Sequence, residues 1–335
     1  MGRRPAIVKE LAEAAVDANP KAATKTLARA LCKQEPRIFT SIEQARHAVR
    51  GVRGANGKRK RRQATRIRPS EEAEECRQWG ALLPAAAKSE FSWRELPEGI
   101  ERWLILADLH IPYHNEEALS IAMKHANRNC DGVLILGDLL DCHQASSFCH
   151  DTRKRSFEQE IESVKQFLDV LETLKPKAIV WKGGNHEARL ERYLMQRAPE
   201  LWPTLAEFVS FRTVCGLDER GVLWIRPQDP IRHHMLALLH GSEWKGGFAP
   251  PVNPARGAYI RGGECCVVAH WHRSSSHDDP SLFRDVQCWS VGCLCDLHPD
   301  YCSINKWNHG FAYLTTGSQW NVENKRITNK EVHDA

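Results

Sequence analysis

A chain of 335 residues, 42% hydrophobic and 27% charged, has the composition of an ordinary globular protein and the length for one large domain or two smaller ones. No apolar run approaches the about 20 residues of a membrane span, and Arg3 and Arg4 lead into Val8-Lys9-Glu10-Leu11 rather than a secretory core, so the twelve cysteines are expected to be reduced thiols of a cytoplasmic protein without a membrane partner. The net charge of +5 conceals an asymmetry: residues 1–68 hold 18 Lys+Arg against 5 Asp+Glu, a net of +13, which leaves −8 for the remainder. A basic head on an acidic body is expected to meet a polyanion, and nucleic acid is the expected partner.

The head divides into helices. Residues 7 to about 18 are rich in Ala, Leu and Glu and end at Asn19-Pro20; a second helix is expected from about Ala23 to Lys33, broken by Pro36. In the third, Ser41 with Gln44 makes a capping box, Ile42, Ala45, Val49 and Val52 share one face, and Arg46, Arg50 and Arg53 share a neighbouring one. Three short helices with a basic last one suggest a helix-turn-helix-like module over 1–53, although Gln34 to Thr40 is longer than the usual tight turn. The alternative is a helical adaptor with a solvated basic face. Residues 54–100 are a linker and lead-in, in which Lys58, Arg59, Lys60, Arg61 and Arg62 form a cationic run suited to phosphate backbones.

From Glu101 buried strands alternate with helices, the pattern of βαβ units. Strands are expected at 102–107, 132–136 and 177–182, and helices at about 116–127 and 157–174. Beyond Leu223 come short strands at 234–239, 265–269, 286–290 and 311–315, with residues 323–335 as a tail. Each strand end carries polar residues: Asp108-x-His110; Gly137-Asp138-x-x-Asp141; Gly184-Asn185-His186-Glu187; His240-Gly241; and His270-x-His272. Sheets of this class place ligand sites at the carboxyl ends of their strands. One such histidine is more often a satisfied core or surface residue, but five strand ends with the same habit describe a site.

In this order, the five blocks resemble the calcineurin-like metallophosphoesterase superfamily, over roughly residues 101–320. The resemblance implies an α/β fold, a four-layer α/β/β/α sandwich with the small all-α module outside it. It also implies two divalent metal ions, Asp108, His110 and His272 holding one, Asn185, His240 and His270 the other, with Asp138 bridging. Such ligands suit Mn, Fe, Zn or Ni, and two metals about 3.5–4 Å apart clamp an in-line displacement and lower the pKa of a bridging water, so that hydroxide attacks the phosphate ester. His186 is then expected as general acid, oriented by Asp141. Where protein phosphatases of the superfamily carry Arg-Gly after this Asp, the chain has Cys142-His143; Arg189 supplies a possible phosphate contact instead. The combination with a basic helical head also resembles phosphoesterases of bacterial viruses. Nucleic acid is the favoured substrate, through a nuclease, phosphodiesterase or DNA-end phosphatase activity; the alternatives are a monoesterase acting on phosphoproteins or small molecules, and a non-catalytic nucleic-acid-binding protein.

Two further features invite a function. Cys288, Cys293, Cys295 and Cys302 with His298 offer zinc donors, but paired Cys-x₂-Cys spacing is missing, so partly buried thiols are expected. Trp244, Trp271, Trp289, Trp307 and Trp320 crowd the C-terminal third; platforms for unpaired bases are one reading, a Trp-rich core the favoured one. Strand alternation is expected to turn Trp271 away from the metals.

Overall fold

The computed structural model describes residues 4–54, 76, 82–87, 91–146, 156–244, 252–280, 284–317 and 319–335, and the chain divides into two compact units, 1–88 and 89–335. In the first, helices α1 (Arg4–Ala18), α2 (Thr24–Gln34) and α3 (Ile42–Val52) enclose a small core of Ala12, Leu27, Ala28, Leu31, Phe39, Ala45, Val49 and Val52. Ile42, expected on the apolar face, is 42% exposed, because it is the first residue of α3 and lies beyond the reach of the other two helices. The cap also differs in detail. Ser41 Oγ accepts from the Gln44 N–H at 3.2 Å, but the Gln44 carbonyl turns to the N–H and hydroxyl of Thr40, both at 3.0 Å.

The basic face of α3 is smaller than expected. Arg53 bonds Ala22 O at 2.6 Å, Pro20 O at 3.1 Å and Thr24 Oγ1 at 3.1 Å, satisfying the turn before α2. It therefore serves as a structural tie of the module. Arg50 is exposed, and Arg46 pairs with Glu43 at 3.2 Å, an exposed pairing of little strength. The run Lys58–Arg62 and the acidic stretch 71–75 lie outside the described residues.

The second unit is built on two sheets. Seven strands lie in the order β13-β12-β11-β2-β3-β4-β5 and six in the order β1-β6-β7-β8-β10-β9. The central strands β2 (Arg102–Leu106), β3 (Gly132–Leu136) and β4 (Ala178–Lys182) run parallel. Their alternation sorts the side chains into two cores. Leu104, Leu106, Val133, Ile135, Ile179 and Trp181 pack beneath the helices Glu116–Ala126 and Phe157–Glu172. Trp103, Ile105, Leu134, Leu136 and Val180 face the second sheet, meeting Leu236 and Leu238 of β7 (Leu236–Leu239), Val267 of β8 (Cys266–Val268) and Cys288 of β10 (Asp285–Ser290). The helix Pro254–Gly262 packs on β8, β9 (Ser275–Pro280) and β10, completing the four-layer α/β/β/α arrangement.

Both ends of this unit extend past the expected limits. Arg94–Glu95 forms β1 beside β6 (Ile231–His233), and Leu96 and Ile100 are buried in the inner core, so residues 94–100 belong to the sandwich. Residues 323–335 are not a tail. They lie in β12 (Asn321–Thr328) and β13 (Glu331–Asp334), which extend the larger sheet from β11 (Gly310–Thr315), with Val322 and Ile327 buried. Strands β5 (Val222–Ile225) and β9 also escaped the reading: β5 is four residues long, and Ser275–Pro280 contains no apolar residue besides its proline. No described helix is long and apolar enough to cross a membrane.

If Arg53 ties the module together, Arg53→Ala should cost about 1–3 kcal/mol, and Arg50→Ala less than about 0.5 kcal/mol. Urea denaturation of the full chain, followed by helix content, measures both; equal losses would return Arg53 to the solvated face.

Candidate functional site

The strands that end together bring the polar blocks together. Each apolar strand stops one to three residues before its first Asp, Asn or His, and the backbone then turns sharply. Asp108, His110, Asp138, His270 and His272 all have left-handed backbones, with φ of 52°, 49°, 50°, 69° and 55°. Residues other than Gly seldom adopt this region, at a cost of roughly 1–2 kcal/mol each. The donors therefore converge through consecutive turns beyond the strands. Trp271 lies past the end of β8, so strand alternation does not set its direction; its ring is 5.1 Å from that of His270 and beneath the Arg261 guanidinium at 5.5 Å.

Two groups of donors result. His110 Nε2 lies 3.1 Å from His272 Nε2, which is 3.5 Å from Asp108 Oδ1. On the other side, His240 Nε2 lies 3.1 Å from Asn185 Oδ1, and the rings of His240 and His270 are 5.1 Å apart. Asp138 faces both, its Oδ2 lying 3.2 Å from His240 Nε2 and 3.9 Å from His110 Nε2. All the ligands expected from the sequence thus meet at one place.

The donor set fits metal ions. Asp108 Oδ1 is buried without a hydrogen-bond partner. Lone-pair atoms crowd at distances a cation between them would relieve, and the ring nitrogens of His240 are positioned from behind, Nδ1 being 2.9 Å from Leu136 O. A Cβ on Gly184 would collide with the Asp138 carboxylate and His240 imidazole, so only glycine closes the cradle there. Burial alone would raise Asp138, but His240 and His186 hold it well below the usual carboxylate range. The same pairing overcomes burial at His240 and lifts it to about 10, whereas burial and then the neighbouring His240 push His270 down to about 4.

Asp141 and His186 meet, with an addition. Asp141 Oδ1 is 3.2 Å from His186 Nδ1 and 3.3 Å from His110 Nδ1, so one carboxylate serves two imidazoles. His186 Nδ1 also faces Asp141 O at 2.8 Å, and its Nε2 accepts from Arg189 Nη2 at 2.9 Å. Burial lowers the pKa of His186 against the pull of Asp138. Arg189 also donates to Asp141 O at 2.9 Å.

The residue the sequence reading passed over is Glu187. Its carboxylate accepts from the backbone N–H groups of Gly184 at 2.6 Å, Leu139 at 2.7 Å, Asp138 at 3.0 Å and Leu140 at 3.4 Å. Glu243 does similar work for His240 and Gly241, at 3.1 and 2.6 Å, and is paired with the fully buried Lys182 at 2.8 Å. The proposed zinc donors do not assemble. Cys288 Sγ faces Cys266 Sγ at 3.5 Å, Cys293 bonds Asn308 O at 3.6 Å, and His298 Nδ1 faces Ser303 O at 3.0 Å, while Cys302 is half-buried. Cys295 instead joins His110 and His272, its Sγ 3.7 Å from His272 Nδ1.

A family model for calcineurin-like phosphoesterases matches residues 102–287. The chain belongs to the calcineurin-like phosphoesterase family. Within it, the buried Asp and His cluster makes the chain a metal-dependent phosphoesterase. It is 26% identical over 235 residues to the Gene 54 protein of Mycobacterium phage L5, covering 65% of this chain and 90% of that protein. Similar solved structures include vacuolar protein sorting 29 from Cryptosporidium parvum, with 13% identity, 70% of this chain and 96% of that chain covered, and a TM-score of 0.38. Yfce, a phosphoesterase from E. coli, shares 12% identity over 69% of this chain and 96% of its own, with a TM-score of 0.34.

Behind the Asp141 turn, Glu160 is fully buried and accepts from the His143 N–H at 3.3 Å. Burial, then the Asp141 charge, lifts it from 4.5 to about 7. Between these values the folded chain binds more protons than the unfolded one, so the ionisation of Glu160 removes stability as pH rises through that window. Glu160→Gln should therefore match the parent near pH 4.5 and exceed it by about 2–3 kcal/mol above about pH 8. Urea denaturation in EDTA across this range measures the difference; a gap independent of pH would remove the charge as its cause.

Proposed function

We propose that the chain hydrolyses phosphate esters at a centre of two divalent cations (Mn, Fe, Zn or Ni), with nucleic acid as the substrate class. Asp108, His110 and His272 hold one cation, Asn185, His240 and His270 the other, and Asp138 both. The observation that carries this reading is the Asp138 carboxylate, which faces a cluster of donors on either side. When bound, the cations supply Lewis-acid polarisation of a phosphoryl oxygen and acidify water.

The protein's own groups position and protonate. Arg189, half-buried beside His186, offers its planar fork of N–H donors to the non-bridging oxygens of the ester. A phosphate that draws Arg189 away frees His186 Nε2, the ring atom that exchanges a proton with the leaving oxygen. The opposite nitrogen, Nδ1, stays on Asp141, which fixes the tautomer and favours the protonated ring. The same Arg189 supports a second reading, that a monoester is the substrate. The diester of a nucleic acid is preferred because unit 1 carries Arg46 and Arg50 on one helix face and the chain concentrates its positive charge over residues 1–68.

Asp138→Asn should lose most of the bound metal and all measurable turnover of bis-p-nitrophenyl phosphate and p-nitrophenyl phosphate. An active variant with two metals per chain by elemental analysis would end the shared-ligand role. For the substrate class, the full-length Arg46→Gln, Arg50→Gln variant should bind duplex DNA more weakly, with a log–log salt slope shallower by roughly 0.9 per lost phosphate contact. Unchanged anisotropy curves at two salt concentrations would leave the monoester reading in front.

A further inference from the structure

Four of the five clustered tryptophans, Trp244, Trp271, Trp289 and Trp320, pack against the inner core. Trp307 does not. Its ring lies 4.1 Å from that of His272 in an edge-on arrangement, at the rim of the metal cluster. It stands at the end of loop 296–308, which has few apolar anchors and is instead tied across itself by polar bonds. Asn305 Nδ2 donates to Leu297 O at 2.6 Å and Cys302 O at 2.7 Å, while Asn305 Oδ1 accepts from Trp307 N at 2.9 Å. His298 Nδ1 faces Ser303 O at 3.0 Å, and Asn308 N donates to His272 O at 2.9 Å. A loop braced this way holds its side chains in place, and among its exposed polar residues it presents two large apolar ones: Tyr301 is 72% and Ile304 94% exposed.

We propose that Tyr301 and Trp307 form a stacking ledge that receives the nucleobase next to the phosphate held at the metal cluster, an inference that rests on the phosphoester reading above. The two rings are 6.3 Å apart at 59°, so a base placed on one meets the edge or face of the other. His272 lies against Trp307, so the ledge adjoins the cluster of donors that would hold the phosphate. Its contribution is not phosphate attraction, since the loop sets Asp296 and Asp300 against a single Lys306. Rigid rings beside a phosphate site, without matching charge, suit the π-face common to all bases, and therefore a subsite tolerant of sequence.

The test uses the full-length, Mn²⁺-loaded protein and two ligands whose P–C bond resists hydrolysis: the methylenephosphonate analogue of thymidine monophosphate and the same sugar methylenephosphonate lacking the base. Isothermal titration calorimetry should show the base tightening binding by about tenfold or more, the usual worth of one stacked base. Tyr301→Ala should reduce that ratio to below about threefold, while Phe208→Ala, at an exposed ring elsewhere, keeps it. Using the ratio within each variant separates loss of stacking from general damage to the metal site. Equal affinity of the two ligands for the parent protein, or an undiminished ratio in Tyr301→Ala, overturns the ledge. Failure to hydrolyse bis-p-nitrophenyl phosphate with any metal removes the phosphoester reading itself, and the ledge with it.

Discussion

The site depends on one buried carboxylate that touches no substrate. Glu187 gathers N–H groups from the turn after β3 and from the turn after β4, so the segment carrying Asp138 and the segment carrying Asn185 and His186 are fixed to each other through it. Charge-assisted bonds to backbone donors are among the stronger polar contacts, at about 1.5–3 kcal/mol each. They satisfy N–H groups that no strand can reach, because the strands have already ended. Burial and the adjacent Asp138 both push Glu187 toward its neutral form. A neutral acid would lose acceptor strength, and the two loops would separate.

That bracing lets the chain hold a strained arrangement. Five residues of the cluster, Asp108, His110, Asp138, His270 and His272, have positive φ, and several kilocalories per mole of backbone strain would ordinarily be relieved by a shift of the loop. Here each turn is pinned. Asp108 N donates to Gly137 O, His110 N to Asp138 O, and Ala269 N to His240 O at 3.1, 3.0 and 2.9 Å, while the His270 N–H reaches Asp108 Oδ2 at 2.8 Å. The backbone network sets the loops, and the side chains then converge without needing the order of a strand.

The sequence made the central fold legible because β2, β3 and β4 are buried on both faces and write themselves as unbroken apolar runs. Strands made largely of polar residues leave no such trace. Ser275–Pro280 and Asn321–Thr328 owe their place to backbone pairing with Asp285–Ser290 and Gly310–Thr315, and pairing is not a property of composition. The candidate site was legible because Asp, Asn and His at five strand ends serve no packing purpose. Glu187 was not, since an acid in the first turn of a helix reads as a complement to the helix dipole; its role needs donors nearly fifty residues away in sequence. Arg53 shows the reverse case: its charge was visible, but not the carbonyls of Pro20 and Ala22 that it ties together.

A comparison within the site shows why the centre calls for cations. Glu243 braces the His240 turn as Glu187 braces the Asp138 turn, and burial likewise acts to raise its pKa. There the chain supplies its own positive charge: Lys182, fully buried, lies 2.8 Å away, and together with His240 it draws the acid below its usual range. Asp138 and Glu187 have no lysine or arginine salt bridge among the described residues. The positive charge near Asp138 is histidine, and burial opposes protonation of every one of these rings that shifts. A buried carboxylate left to share several imidazoles, with an acceptor of Asp108 unpartnered beside it, is electrostatically incomplete in a way that Lys182 and Glu243 are not. Divalent cations would complete it, since they would stabilise the carboxylates as anions and favour neutral imidazoles.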